Sequence, residues 1–322
     1  MDMRALGRSG LKTTPLVFGG NVFGWTIDEP TSFTLLDAFV DAGFNAIDTA
    51  DVYSAWAPGN TGGESEAIIG RWLKANPGKR DKVLILTKVG SDMGQGRKGL
   101  SARRIAEAAE ESLKRLGTDA IDLYQSHWPD ETPYEETLGA YAKLIEAGKV
   151  RAIGASNLNA EQLRQALDTA GAKHLPRYET LQPEYNLYDR ASYDGPLRDL
   201  AIREGLGVIP YFSLASGFLT GKYRSKADLG LSQRGDRVAK YLDARGERIL
   251  AALDQVAGDL GAKPAEVALA WLMQREGVTA PIASATSRTQ LDSLVKAAQL
   301  RLPGEAVAVL DRASAPEAQA GA

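Results

Sequence analysis

Three short apolar runs in the first half of the chain end in groups able to handle a proton. The run Ala46–Asp48 closes on Asp48 and reaches Tyr53 one short loop later. Val83–Thr87 leads into Lys88, and Ile121–Gln125 into Ser126 and His127. A tyrosine has an ordinary pKa of about 10 and donates a proton poorly unless its anion is stabilised. An ammonium a few ångströms away lowers that pKa, and a carboxylate behind the ammonium holds it in place. A histidine in the same place can hydrogen-bond a carbonyl oxygen, orienting and polarising it. Such a set suits protonation of an oxygen while hydride arrives at carbon. It suits hydrolysis poorly, because no activated serine or paired carboxylate accompanies it. The chain has no cysteine and only two histidines, His127 and His174, so disulfides and thiolate metal sites are excluded and no metal centre is expected.

Taken singly, each residue has a bland reading: a solvated lysine, a hydrogen-bonded structural histidine, a helix-capping aspartate, a packing tyrosine. Three consecutive strand ends offering different polar groups shift the balance, provided the strands are neighbours. Short apolar runs alternate with helical patterns along the whole chain, the signature of repeated βα units. The runs are Leu16–Phe18, Ala46–Asp48, Val83–Thr87, Ile121–Gln125, Ala152–Ala155, Thr180–Gln182, Gly207–Tyr211 and Pro281–Ala283, and eight is the number that closes a barrel. An open doubly wound sheet gives the same alternation, but no G-x-G-x-x-G follows an early strand, so a (β/α)8 TIM barrel is favoured. Its active sites form at the C-terminal ends of the strands, where Asp48, Lys88 and His127 fall.

Punctuation supports the helices between the runs. Ser101 caps a helix with Ile105, Ala109, Leu113 and Leu116 on one face and Gly117 at its end. Asn159 with Gln162 forms a capping box ahead of Leu163 and Leu167, with a stop expected at Gly171. Pro264 suits a first helical turn before Val267, Ala270 and Trp271, and another helix is expected over Ala244–Leu260. Before the first run, Arg4–Leu6 and Leu11–Thr13 read as an N-terminal β-hairpin turning at Arg8-Ser9-Gly10, able to plug the bottom of a barrel. The Ala- and Gly-rich stretch from about Ser314 to Ala322 is expected to fray.

All 322 residues are expected to form one domain, large enough to bury about three quarters of its unfolded surface. The formal charge of −3 provides no basic field for nucleic acid, and no apolar run is long enough to span a membrane. Met1 to Thr14 lacks a signal-peptide pattern, so a cytoplasmic protein is expected, monomeric by default.

Several segments in order resemble the aldo-keto reductases. They are Asn45 through Tyr53 (NAIDTADVY), Gly63-Glu64-Ser65-Glu66, Leu86-Thr87-Lys88, Ser112 through Leu116 (SLKRL), Asp122-Leu123-Tyr124 up to His127, Gly148-Lys149-Val150-Arg151, and Gly154-Ala155-Ser156-Asn157. The resemblance runs from the hairpin to about Leu302. It implies that Tyr53 is the general acid, that Lys88 and Asp48 tune it, and that His127 orients the carbonyl. It further implies a nicotinamide cofactor extended across the barrel top. Asp48, Ser156, Asn157 and Gln182 match positions around its carboxamide, and Tyr211 matches the aromatic that stacks on its ring. Gly20 and Asn21 fall beside them. Phe212, Ser213, Leu214, Gly217, Leu219, Gly221 and Lys222 match the loop covering the pyrophosphate. Ser284, Thr286, Ser287 and Gln290 match the adenosine end, where many relatives carry Arg or Lys at the Thr286 position and Asn at the Leu294 position. Arg288 is close, and NADPH is favoured over NADH.

Three tryptophans, Trp25, Trp56 and Trp128, sit in loops after barrel strands. They form an expected apolar wall, beside Tyr53 and His127, for a hydrophobic carbonyl substrate. Residues 55–63 between Ala55 and Gly63 read as a mobile flap. Two other readings exist: a regulatory protein that binds the cofactor with negligible turnover, as in the potassium-channel β-subunit-like branch of the same family, and an unrelated carboxylate-based barrel enzyme.

Overall fold

A computed structural model describes residues 2–316. Eight parallel strands form one sheet: β3 (Val17–Gly19), β4 (Ala46–Asp48), β5 (Leu84–Val89), β6 (Ile121–Ser126), β7 (Val150–Ser156), β8 (Thr180–Gln182), β9 (Gly207–Val208) and β10 (Ile282–Ala283). They pair in sequence order, with β10 on the other side of β3. The Thr279 and Ala280 N–H groups donate to the Val208 carbonyl at 2.7 and 3.2 Å, and Ile282 N–H donates to Pro210 at 2.8 Å. Those bonds close β9 on β10, so the sheet is a barrel and the open-sheet alternative is excluded. The seventh run is shorter as a strand than its apolar stretch, because Pro210 has no N–H to give a ladder.

The hairpin strands β1 (Arg4–Ala5) and β2 (Lys12–Thr13) pair antiparallel. Leu6 from their turn enters the barrel interior, where it joins Val17, Ala46, Leu86, Leu123, Ala152, Ile209, Ala280 and Ile282 in a small apolar core. Gly207 is required beneath it: a Cβ there would lie 2.8 Å from the Leu6 backbone. The hairpin is therefore the floor of the barrel.

The helices α1 (Glu29–Asp41), α2 (Glu64–Ala75), α3 (Ala102–Leu116), α4 (Tyr134–Glu146), α5 (Ala160–Lys173) and α6 (Pro196–Glu204) each follow a strand. After β9 come the short α7 (Gly235–Val238), then α8 (Ala244–Leu260) and α9 (Pro264–Met273), with α10 (Arg288–Gln299) and α11 (Gly304–Ser314) after β10. Ser101 caps α3, Gly117 ends it in the left-handed conformation, and the Asn159–Gln162 box starts α5 as expected. The expected stop at Gly171 is wrong. The helix continues to Lys173 and ends on His174, which adopts φ 53° and donates its N–H to the Ala170 and Gly171 carbonyls. A helix tolerates one interior glycine at a cost of about 1 kcal/mol, and His174 thereby has a structural place as the cap of α5.

Ser314 is not frayed either. It is fully buried, its hydroxyl accepts from Arg190 at 3.0 Å, and its carbonyl accepts from Arg245 at 2.7 Å. The remainder of that expected tail, 317–322, lies outside the described residues.

Candidate active site

Register places the polar strand ends together. Asp48 pairs with Leu86, two residues before Lys88, while Lys88 pairs with Gln125 and Gln125 with Gly154, so β4, β5 and β6 carry Asp48, Lys88 and Gln125 side by side near their C-terminal ends. Gly154 makes room for this layer, since a Cβ there would fall 2.0 Å from Thr180 Oγ1 and 3.2 Å from Gln125 Cγ. The segment Gly63–Glu66 ties the ends in place from outside. Ser65 Oγ donates to the Gly20 carbonyl and accepts from Thr49, both at 2.8 Å, while Glu66 accepts from Thr87 Oγ1 at 2.6 Å and pairs with Arg115 at 2.7 Å.

Lys88 spends all three of its N–H donors inside this frame: on Asp48 Oδ2 at 2.7 Å, the Thr49 carbonyl at 2.9 Å and Tyr53 Oη at 2.8 Å. Having accepted from Lys88, the Tyr53 hydroxyl directs its own proton to Asp48 Oδ2 at 3.2 Å. The other oxygen, Asp48 Oδ1, accepts from Gln182 Nε2 at 2.9 Å and faces Gln125 Nε2 at 3.5 Å. Gln125 is a member of this site beyond the four residues expected from the sequence, and its Oε1 accepts from Gln182 Nε2 at 3.1 Å. A polar side chain inside an otherwise apolar run was the available signal.

The balance on Tyr53 differs from expectation. Burial and the directly contacting Asp48 carboxylate push the phenol well above its ordinary pKa, rather than Lys88 drawing it down. Asp48 stands against the phenol as well as behind the ammonium, so its charge opposes the lysine's. Lys88 is itself lowered, by burial before all else, with the Asp48 charge working against that. His127 is held well below its ordinary pKa by burial and by the Lys88 charge, so its imidazole is neutral. Its ring centroid lies 6.0 Å from that of Tyr53. Nδ1 shares a hydrogen bond with Ser91 Oγ at 2.9 Å. When Ser91 donates, Nε2 keeps the ring proton and can offer it to a carbonyl oxygen. Ser91 carries no sequence signal; only the fold brings it to His127.

These groups face a cavity of about 890 Å³ that runs across the barrel top. Asp48, Tyr53 and His127 line it, with Ser156, Asn157, Gln182 and Tyr211 alongside. Asn157, at φ 61°, accepts from Tyr211 Oη at 2.7 Å and donates to the His127 carbonyl at 2.8 Å. Asn21, Phe212, Ser213, Leu214, Gly217, Lys222, Ser284, Thr286 and Gln290 also line the cavity. Gly20, Leu219, Gly221 and Ser287 lie outside its wall; Gly20 and Leu219 are buried behind it.

An extended anionic cofactor fits this wall. The Ser213 and Leu214 amides find no acceptor among the described residues, and the loop holds left-handed backbone at Phe212, Ala215 and Ser216, three non-glycine positions. Lys222 and Lys263 line the cavity where Gly221 approaches Pro264. Ser293 and Leu294 line it near the start of α9, where Ser293 bonds Glu266 at 2.7 Å. Arg288 does not reach the cavity, because its guanidinium is taken by Asp292 one helical turn on, at 2.8 Å. Lys263 is a cation there that sequence reasoning missed.

Of the three tryptophans, Trp56 and Trp128 line the cavity and are 43% and 48% exposed. Trp128 stacks on His127 at 6.1 Å, and Trp56 meets Tyr53 edge-on at 5.9 Å. Trp25 is not on the wall; it backs Trp56 edge-on at 5.6 Å. The stretch expected to be a flap is tethered: Asn60 donates to the Gly24 and Ser54 carbonyls at 2.8 and 3.0 Å, and Glu64 accepts from the Thr61 and Gly62 amides.

Among the described residues there is no helix long and apolar enough to cross a membrane and no cluster of three metal-ligating side chains. Residues 15–315 match the model of the aldo/keto reductase family. The chain is 36% identical to an uncharacterized oxidoreductase, YrpG, of Bacillus subtilis, over 97% of this chain and 95% of that one. It is 35% identical to the aldo-keto reductase YhdN of the same bacterium, over 89% and 83%. It is also 33% identical to a probable voltage-gated potassium channel subunit beta of Arabidopsis thaliana, over 97% and 95%. The closed (β/α)8 barrel, its hairpin floor and these relationships give one conclusion: the chain belongs to the aldo/keto reductase family and is an oxidoreductase, of a family that uses nicotinamide cofactors on small carbonyl compounds.

Proposed function

We propose that the protein reduces aldehydes or ketones to alcohols with NADPH, reversibly, and that Tyr53 supplies the proton. The observation that carries this reading is the Tyr53 hydroxyl held by Lys88 at 2.8 Å and Asp48 at 3.2 Å on the wall of a cavity that His127 also faces. The bound nicotinamide would supply hydride to the carbonyl carbon. A carbonyl oxygen entering between Tyr53 and His127 competes with Asp48 for the phenolic proton and accepts a second hydrogen bond from the neutral imidazole. As charge builds on that oxygen, Tyr53 releases its proton to it, and the adjacent Lys88 ammonium stabilises the phenolate left behind. Gln125 and Gln182 keep Asp48 oriented by bonding or facing its other oxygen. Ser156, Asn157, Gln182 and Tyr211 would hold the nicotinamide, and the Ser213 and Leu214 amides the pyrophosphate. Lys222 and Lys263 are the cations we assign to the cofactor's phosphates, which favours NADPH. Trp56 and Trp128 form the apolar wall for substrate. We place the protein in the cytoplasm, as a single domain and a monomer.

NADPH oxidation by the purified protein with 4-nitrobenzaldehyde, with NADH as control, tests the proposal. Consumption of NADPH supports it. Cofactor binding with no turnover across a carbonyl panel would instead favour a regulatory role, the reading that the potassium-channel-subunit relative suggests.

A further inference from the structure

Arg234 is a cation on the cavity wall with no carboxylate partner among the described residues. Ser232, Gln233, Arg234 and Arg237 all line the cavity from the segment that leads into and through α7. The Arg234 guanidinium lies over the Trp25 ring at 5.2 Å. Trp25 meets Trp56 and Trp56 meets Tyr53, so the cation stands at the tryptophan end of the cavity. The guanidinium groups of Arg104, Arg115, Arg190 and Arg275 each meet a carboxylate. Arg234 meets none among the described residues, and its Nη2 is buried without a hydrogen-bond acceptor. Burial and the nearby Arg237 charge both lower its pKa, so the surroundings disfavour the charge they contain. A guanidinium is the side chain best shaped to take a carboxylate or phosphate through two parallel bonds. An arginine left partly desolvated and unanswered beside a ligand cavity is explained if the ligand brings the anion.

We propose that Arg234, with Arg237 beside it, binds an anionic group on the substrate, so that the preferred substrates are aldehydes or ketones carrying a carboxylate or phosphate away from the reacting carbonyl. This rests on the carbonyl-reductase reading above. The carbonyl lies between Tyr53 and His127, the substrate body passes along Trp56, and the anion reaches Arg234. The tryptophan wall then selects the body, and the arginine selects the far end. Cofactor phosphates are the other source of the same chemistry, and the experiment separates the two.

Steady-state rates would be compared within two pairs, 4-carboxybenzaldehyde against benzaldehyde and succinic semialdehyde against butanal, at saturating NADPH. The wild type is expected to favour the charged member of each pair in kcat/KM by about tenfold or more, chiefly through KM. Arg234→Gln should reduce that ratio to near one, and Arg234→Lys should restore part of it. The ratio cancels any general damage to the enzyme. A wild type that reduces the neutral aldehydes but shows no preference for the charged ones overturns this inference and leaves the reductase reading intact. A ratio unmoved in Arg234→Gln, with the KM for NADPH raised instead, also overturns it and assigns Arg234 to the cofactor. Should no aldehyde be reduced, the reductase reading fails and binding decides. Titration of the NADP+-loaded protein with 4-(hydroxymethyl)benzoate and with benzyl alcohol, followed by tryptophan fluorescence, supports the anion site only if the carboxylate binds more tightly and Arg234→Gln abolishes the difference.

Discussion

Tyr53 and Asp48 are in direct contact, with the phenolic oxygen 3.2 Å from Asp48 Oδ2, the same carboxylate oxygen that pairs with Lys88 at 2.7 Å. The phenol therefore sits between a cation that favours its ionisation and an anion that opposes it. Burial sides with the anion, and Tyr53 stays protonated far beyond its ordinary range.

A protonated phenol is the form that a reductase requires. Tyr53→Phe is expected to lower kcat for aldehyde reduction by about 100- to 10,000-fold, the usual contribution of a general acid, while NADPH still quenches tryptophan fluorescence. Because the folded pKa is raised above the ordinary value of about 10, the phenol keeps its proton between pH 6 and 9 and the rate of reduction should not fall across that range. Alcohol oxidation needs the phenolate and should rise with pH across the same range. A reduction rate that drops through neutral pH in step with one ionisation, and is unaffected in Tyr53→Phe, would remove the tyrosine from this role.

The contact between Ser91 Oγ and His127 Nδ1 orients a neutral imidazole. Ser91→Ala should lower kcat/KM for carbonyl substrates by about tenfold, the scale of a modest misplacement at the reacting centre. Its KM for NADPH should change far less. Equal effects on both substrates would mean that Ser91 serves loop structure only.

The tryptophans should separate in kind. Trp56→Ala and Trp128→Ala remove cavity wall and should raise KM for aromatic aldehydes several-fold more than for small aliphatic ones. Trp25→Ala acts through Trp56 and should have a weaker effect of the same sign. Were Trp25 to matter as much as Trp128, the placement of the substrate pocket would need revision.

At the cofactor's far end, Lys263→Ala and Lys222→Ala test the phosphate assignment. Loss of one charge-assisted contact should raise the KM for NADPH by about tenfold. If Lys263 meets the 2′-phosphate, its loss should leave NADH nearly unaffected, whereas loss of Lys222 at the shared pyrophosphate should weaken both cofactors. Arg288→Ala should change neither, because Asp292 already holds that side chain.

Asp51 offers a test of stability rather than turnover. Burial, reinforced by the Glu66 charge, pushes its carboxyl up to about 7, despite Arg104 at 3.4 Å. The unfolded chain releases this proton near pH 4, so between pH 4 and 7 the folded protein binds a proton that the unfolded chain does not. Stability from this group therefore falls as pH rises through that window and levels off above it, by about 2 to 3 kcal/mol between pH 5 and 7. Urea unfolding of Asp51→Asn should show a flatter pH dependence over that interval than the wild type. Parallel curves would show that Asp51 is ionised in the folded protein throughout.

The amino-acid order alone determined the alternation of strands and helices, the eight runs, the hairpin and the four residues at or just beyond three consecutive strand ends. All of these depend on local periodicity: an apolar run followed by a polar residue places that residue at a strand's end whatever the rest of the chain does. The motif Gly63–Glu66 was visible as a pattern, and its purpose as a tie across three strand ends was not. Barrel closure was decided by tertiary structure, since periodicity is the same in an open sheet and only the Val208 and Pro210 bonds to the 279–282 segment distinguish the two. The same holds for Ser91 on His127, Gln125 beside Asp48, Trp25 behind Trp56, and Arg234 without a partner. Each depends on which distant side chains a loop meets, and that is set by the packing of the whole barrel. The sign of the Tyr53 shift belongs with them, because electrostatic balance in a buried site turns on ångströms: a carboxylate at 3.2 Å from the phenol opposes the lysine that it also anchors.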